Sequence, residues 1–222
     1  NFLDVGCHMG MFLRNARGRG WELFGVEPSP ALSEIAREKF GIQVFNGFLK
    51  DADFSDGFFD VITLTDVFEH MRDPLGELVH VKRMIKKDGL LFIKVPNGSF
   101  NLLKLVWYRR LLHRFRFPHD VFRDIFDSRE HVVHYTQSTI TKMLHRAGFK
   151  TIDFRVAPPV QIPSWRSLVG EYYQYPTPWF IDWKVKWARS LLYLGALAQF
   201  YLTRRRITSL APNFIVLAVL EK

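Results

Sequence analysis

The strongest constraint on how this chain can fold is a repeated switch between two hydrophobic periods. Short apolar runs at residues 2–5, 21–26, 43–45, 59–64, 90–95, 151–156 and 213–220 have the length of buried strands. Between them, patterns with helical spacing begin near Pro30, Pro74 and Gln137. Strands that alternate with helices build an open, largely parallel α/β sheet. The helix ends carry their own signals: Ser29-Pro30 opens a pattern that stops at Gly41, and another stops at Gly148. No internal repeat interrupts the alternation, and 222 residues with 48% hydrophobic composition suit a single domain spanning residues 1–222.

In such a sheet a ligand binds beyond the carboxyl ends of the strands, where the strand order reverses. The opening stretch NFLDVGCHMGMFL runs from a strand into a helical pattern and places Asp4, Gly6 and Gly10 on the turn between them. Glycines let a backbone approach a ligand closely, and a helix start presents N–H groups that lack internal partners. One strand-helix-strand step later the run WELFGVEPS ends in Glu27, where a carboxylate can accept hydrogen bonds from two ribose hydroxyls. The same acid can also serve as a charge at the start of the helix that opens at Ser29-Pro30.

Taken in order, these stretches resemble the class I S-adenosylmethionine-dependent methyltransferases. LDVGCHMGMFL is similar to the family's glycine-rich first motif, and GVEPSPALSEIAREKFGIQVFNG to its second strand and helix. The stretch from Phe54 to Asn97 resembles the fourth strand, the following helix and the fifth strand of a subgroup that includes quinone-biosynthesis O-methyltransferases. The resemblance implies a Rossmann-like, mostly parallel seven-stranded sheet with helices on both faces, an antiparallel last strand and helical insertions. It also implies S-adenosylmethionine as cofactor. Asp4 would hold the amino group, and Gly6, Cys7, His8 and Gly10 would form the loop along the methionine part. Glu27 with Pro28 would take the ribose, Phe48 and Leu49 the adenine, and Thr65 and Asp66 the methionine side of the pocket. His8 replaces the middle glycine of the family pattern. A dinucleotide-binding oxidoreductase is the rival on the same architecture, but Gly6 and Gly10 do not match Gly-x-Gly-x-x-Gly. A non-catalytic protein retaining the fold is the other alternative.

Methyl transfer asks for alignment and, at a hydroxyl, for removal of a proton. Glu69 and His70 follow the fourth strand, and His70 is the leading base. His131, in REHVVHYTQSTI, matches the subgroup's histidine before the last large helix. Asp66, Glu69, His70 and His131 resemble a pattern that binds a divalent metal in some relatives, although no metal is expected here.

The single cysteine, Cys7, excludes a disulfide framework and fits a reducing, cytoplasmic setting. Because Asn1 already lies near the end of a strand, the natural N-terminus is expected to lie upstream. Residues 1–97 hold 12 Lys and Arg against 14 Asp and Glu, whereas residues 98–222 hold 19 against 8. The net charge of +9 therefore comes from the second half, which suits an anionic partner or surface. That half contains two expected insertions, a lid at 98–135 and a substrate or interface segment at 157–211. In the second, Leu191, Leu194, Ala198 and Tyr201 or Leu202 precede Arg204, Arg205 and Arg206 at a spacing that suits a helix lying on a membrane surface. The expected acceptor is a small molecule or one linked to a lipid or glycan, with peripheral membrane contact and a homodimer as further expectations. No RNA-reading motif accompanies the charge, so nucleic acid is not the expected partner.

Overall fold

All seven anticipated apolar runs form strands. The computed structural model describes residues 1–112, 131–157 and 213–221, together with Leu194 and Ala198. The strands are β1 (Phe2–Val5), β2 (Leu23–Glu27), β3 (Gln43–Asn46), β4 (Phe59–Thr65), β5 (Ile85–Pro96), β6 (Phe149–Val156) and β7 (Asn213–Leu220). They form one sheet in the order β3-β2-β1-β4-β5-β7-β6. The first five strands pair in parallel, and β7 runs antiparallel between β5 and β6. The order reverses between β1 and β4, so a crevice opens at their carboxyl ends.

The helices are α1 (Met11–Arg14), α2 (Pro30–Phe40), α3 (Pro74–Met84), α4 (Gly98–Leu112) and α5 (Gln137–Arg146). Short 3-10 turns at Leu49–Asp51 and Phe68–His70 follow β3 and β4. Alternation along the strands divides the core between the two faces of the sheet. Leu3 and Val5 join a large cluster with Leu78 and Val81 of α3 and Ile140 and Leu144 of α5. Phe2 joins a smaller one with Leu13 of α1 and Ala36 of α2. Local chemistry sets the helix ends: the Asp73 carboxylate accepts the Gly76 N–H at 3.0 Å before α3, and Thr136 and Thr139 cap one another's backbone before α5.

Two boundaries differ from the sequence expectation. Strand β5 begins at Ile85 rather than near residue 90, because buried Ile85 pairs with Phe59. A register irregularity between Phe59 and Val61 accommodates the exposed Lys86-Lys87-Asp88, whose charges hide the strand from a hydrophobicity reading. Trp21 lies before β2 and packs edge-on against Phe2, with ring centroids 5.9 Å apart. Of the expected lid, α4 and residues 131–135 are described. Residues 113–130 and nearly all of 157–211, including Arg204–Arg206, lie outside the described residues. No helix among the described residues is long and apolar enough to cross a membrane.

Candidate functional site

The turn after β1 alternates its backbone conformation. Gly6, His8 and Gly10 have φ of 72°, 51° and 78°, the left-handed region that disfavours side chains. The glycines are required by space as well: a Cβ at Gly6 would lie 2.6 Å from Val67 Cγ2, and one at Gly10 2.7 Å from Ile42 Cδ1. His8 has an exposed side chain, so its cost is conformational, roughly 1–2 kcal/mol. The Gly6 and Cys7 N–H groups both donate to the Val26 carbonyl, which draws the turn toward the end of β2.

Glu27 stands at that end, and both its oxygens are held by backbone. Its Oε2 accepts the His8 N–H and its Oε1 the Ser29 N–H, each at 2.9 Å. A carboxylate has about four acceptor sites, so two bonds fix its orientation and leave capacity for a ligand. The Asn46 side chain donates to the Glu27 and Pro28 carbonyls at 2.9 and 3.1 Å and ties the ends of β2 and β3 together. The sequence reading did not single out Asn46.

Other anticipated cofactor residues divide between crevice and core. Phe48 is 58% exposed, while Leu49 is buried. Pro28 is exposed beside Glu27. Asp4 lies beneath the turn, 3% exposed, where its carboxyl accepts the Thr63 hydroxyl at 2.6 Å and burial pushes its pKa up to about 7. Cys7 packs against the bare backbone of Gly25, where a Cβ would sit 2.5 Å from Sγ, and burial pushes the thiol up to about 12. A cavity of about 410 Å³ lined by Phe24, Arg37, Val44 and Phe54 lies along β3, and none of the residues anticipated for the site lines it.

Beyond β4 the chain builds a second cluster. Asp66 has φ 55°, its N–H donates to the Lys94 carbonyl at 3.1 Å, and its carboxylate pairs with the Lys94 ammonium. Glu69, 1% exposed, presents its backbone carbonyl to the Val132 and Val133 N–H groups at 2.9 and 3.1 Å. Phe68 stacks on Tyr135 with centroids 5.1 Å apart, so residues 131–135 are clamped onto the 68–70 turn. This clamp brings Glu69 Oε1 to 3.9 Å from His131 Nε2 and sets the His70 and His131 rings 5.0 Å apart. Burial pushes Glu69 up to about 7, with the Asp66 charge adding to the rise and His70 and Lys94 opposing it. Thr65 Oγ1, Glu69 Oε2 and the Tyr135 hydroxyl are buried without hydrogen-bond partners among the described residues.

Ligand atoms of Glu69, His70 and His131 lie within 4.8 Å of one another, a mixed oxygen and nitrogen donor set of the kind that divalent transition metals accept. Asp66, the first acid of the pattern that binds a metal in some relatives, is outside that group and engaged with Lys94. Neither Lys94 nor Thr63 was anticipated. A lone lysine inside the apolar run LLFIKVP was the available signal for Lys94.

Comparison with known proteins finds relatives in both sequence and fold. A family profile described as a methyltransferase domain matches residues 1–153. The ubiquinone biosynthesis O-methyltransferase of Glaesserella parasuis is 29% identical over 114 residues, covering 47% of this chain and 48% of that enzyme. The chain thus spans about half the length of the curated relatives it matches. Among solved structures, the methyltransferase complexed with the Haloferax volcanii Trm112 activator matches with a TM-score of 0.64 at 18% identity, over 100% of this chain and 82% of that one. A SAM-dependent methyltransferase of Thermotoga maritima matches with a TM-score of 0.59, also at 18% identity and with the same coverage.

Proposed function

The chain belongs to the methyltransferase-domain family, and from that membership we propose that it transfers a methyl group from S-adenosylmethionine to a hydroxyl of a small-molecule, lipid-linked or glycan-linked acceptor. The residues present fit the cofactor. The Glu27 carboxylate, oriented by the His8 and Ser29 N–H groups, is prepared to take both ribose hydroxyls. The Gly6-to-Gly10 turn would border the methionine part, with Thr65 and Asp66 on its far side, and exposed Phe48 would lie against the adenine. Asp4 would act from beneath, through the turn it supports. When bound, the cofactor supplies a methyl carbon already activated by its sulfonium, which leaves alignment and proton removal to the protein.

The observation that carries the choice of a hydroxyl acceptor is the Glu69, His70 and His131 group beyond β4. Nitrogen nucleophiles can react without a base, whereas a hydroxyl benefits from one. A neutral imidazole at His131 can accept that proton, and the Glu69 carboxylate 3.9 Å away would stabilise the imidazolium formed. His70, the leading base on sequence grounds, stands beside it and completes the polar wall. The names of the ubiquinone O-methyltransferase relatives support oxygen as the acceptor atom. The basic second half supports an acceptor carried at an anionic membrane surface on the cytoplasmic side.

The direct test is titration calorimetry with S-adenosylmethionine and S-adenosylhomocysteine, followed by transfer of labelled methyl to a panel of hydroxyl and amine acceptors. Cofactor binding with labelling confined to hydroxyls is the expected result. Absence of binding to both cofactor forms would overturn the reading.

A further inference from the structure

Lys94 is a cation in an unexpected place. It interrupts the apolar run of β5 and sits level with Thr65, the last residue of β4. Its side chain is 11% exposed, whereas that of Asp66, its partner, is 47% exposed. The ammonium is thus the less exposed member of the pair. An ammonium has three donors, and among the described residues the Asp66 carboxylate is its one hydrogen-bond partner. Holding a charge in a site with so little solvent is costly unless the charge is well paired. Polar atoms around this corner are left unpaired as well: Thr65 Oγ1, Glu69 Oε2 and the Tyr135 hydroxyl are buried without partners among the described residues, and Glu69 and Tyr135 are each only 1% exposed. The titratable groups around Glu69 are Asp66, His70, His131 and Tyr135, and Lys94 is the one lysine or arginine among those described there.

We infer that Lys94 stabilises the ionised hydroxyl of the acceptor, donating one of its two remaining N–H groups to the oxyanion while the third stays with Asp66. The inference rests on the methyltransferase reading above. In the step concerned, the acceptor O–H bond breaks, the proton passes to the imidazole and the electron pair stays on oxygen, where the ammonium faces it. An electrostatic donor already in place where charge develops needs little reorganisation. Asp66, half-exposed and joined to Lys94 through its backbone N–H as well, holds the ammonium in place.

The probe is 4-nitrophenol, whose phenolate absorbs in the visible, titrated with pH against the protein saturated with S-adenosylhomocysteine. The wild type should lower the apparent pKa of the bound probe by about one unit, a tenfold shift in its ionisation. Lys94→Met should abolish the shift and Lys94→Arg should retain most of it. The double variant Lys94→Met with Asp66→Asn should behave like Lys94→Met, which separates loss of the ammonium from an uncompensated Asp66 charge. S-adenosylhomocysteine affinity, measured on every variant, distinguishes the two readings. If the wild type does not bind that cofactor product, the methyltransferase reading fails. Intact cofactor binding with no probe shift in the wild type, or with a shift that survives Lys94→Met, overturns the role of Lys94.

Discussion

Glu27 is held in place by the backbone and still has capacity to bind, because two backbone N–H groups orient a carboxylate that retains acceptor sites. Glu27→Ala should weaken S-adenosylhomocysteine binding by on the order of 1.5–3 kcal/mol, the range for hydrogen bonds to a charged group. Calorimetry alongside a thermal melt would check it; an unchanged affinity rules out the ribose role. Glu69 belongs to the same scale. Its carboxyl is pushed up to about 7, so it is mainly protonated below that pH and mainly ionised above it. If its charge supports an imidazolium at His131, turnover of a hydroxyl acceptor should rise with pH through about 7. Glu69→Gln should lower turnover above pH 7 and remove that part of the rise, with cofactor affinity little changed. A pH-rate profile that is the same in both proteins would count against the pairing.

Among the elements, the segment 131–135 decides whether the second cluster exists. It is held by the Glu69 carbonyl, by the stack of Tyr135 on Phe68 and by the Gly98 N–H, which donates to the Tyr135 carbonyl at 2.7 Å. Three attachments from two elements make the return of the chain after α4 a fixed part of the site. Tyr135→Phe keeps the ring and removes a buried hydroxyl that has no partner among the described residues, so urea denaturation should show a change of no more than about 0.5 kcal/mol. Tyr135→Ala leaves a cavity beside Phe68 and should cost about 3–5 kcal/mol. It should also make residues 131–135 more susceptible to limited proteolysis; equal effects of the two substitutions would show that the stack does not hold the segment.

For the molecule as a whole, two buried acids impose a pH dependence on stability. Asp4 and Glu69 titrate near 7 in the folded chain, against 3.8 and 4.5 as ordinary values. Between those limits the folded state holds protons that the unfolded state has lost. Stability from these two groups is therefore greatest below about pH 4, falls as pH rises to about 7 and is level above it. The fall attributable to Asp4 is on the order of a few kcal/mol. Asp4→Asn keeps a hydrogen-bonding group beside Thr63 and removes the ionisation. Urea midpoints measured from pH 4 to 8 should decline less steeply in this variant than in the wild type. Parallel declines would show that Asp4 titrates in its ordinary range.

The local part of this architecture was legible in the sequence because its causes are local. Continuous apolar runs mark strands buried on both faces, and the left-handed residues at the first turn favour glycine at positions 6 and 10. Glu27 could be found from its place at the end of a strand, one repeat after that turn. What could not be read depends on register and on where distant segments return. Exposed charges at Lys86-Lys87-Asp88 concealed the start of β5. The alignment of Thr65 with Lys94 gives Asp66 a cation as partner, apart from the Glu69, His70 and His131 group. The inward position of Asp4 follows from pairing with Thr63 across adjacent strands. Periodicity tells a residue which face it occupies; only the assembled sheet and the clamped 131–135 segment decide which charge it meets there.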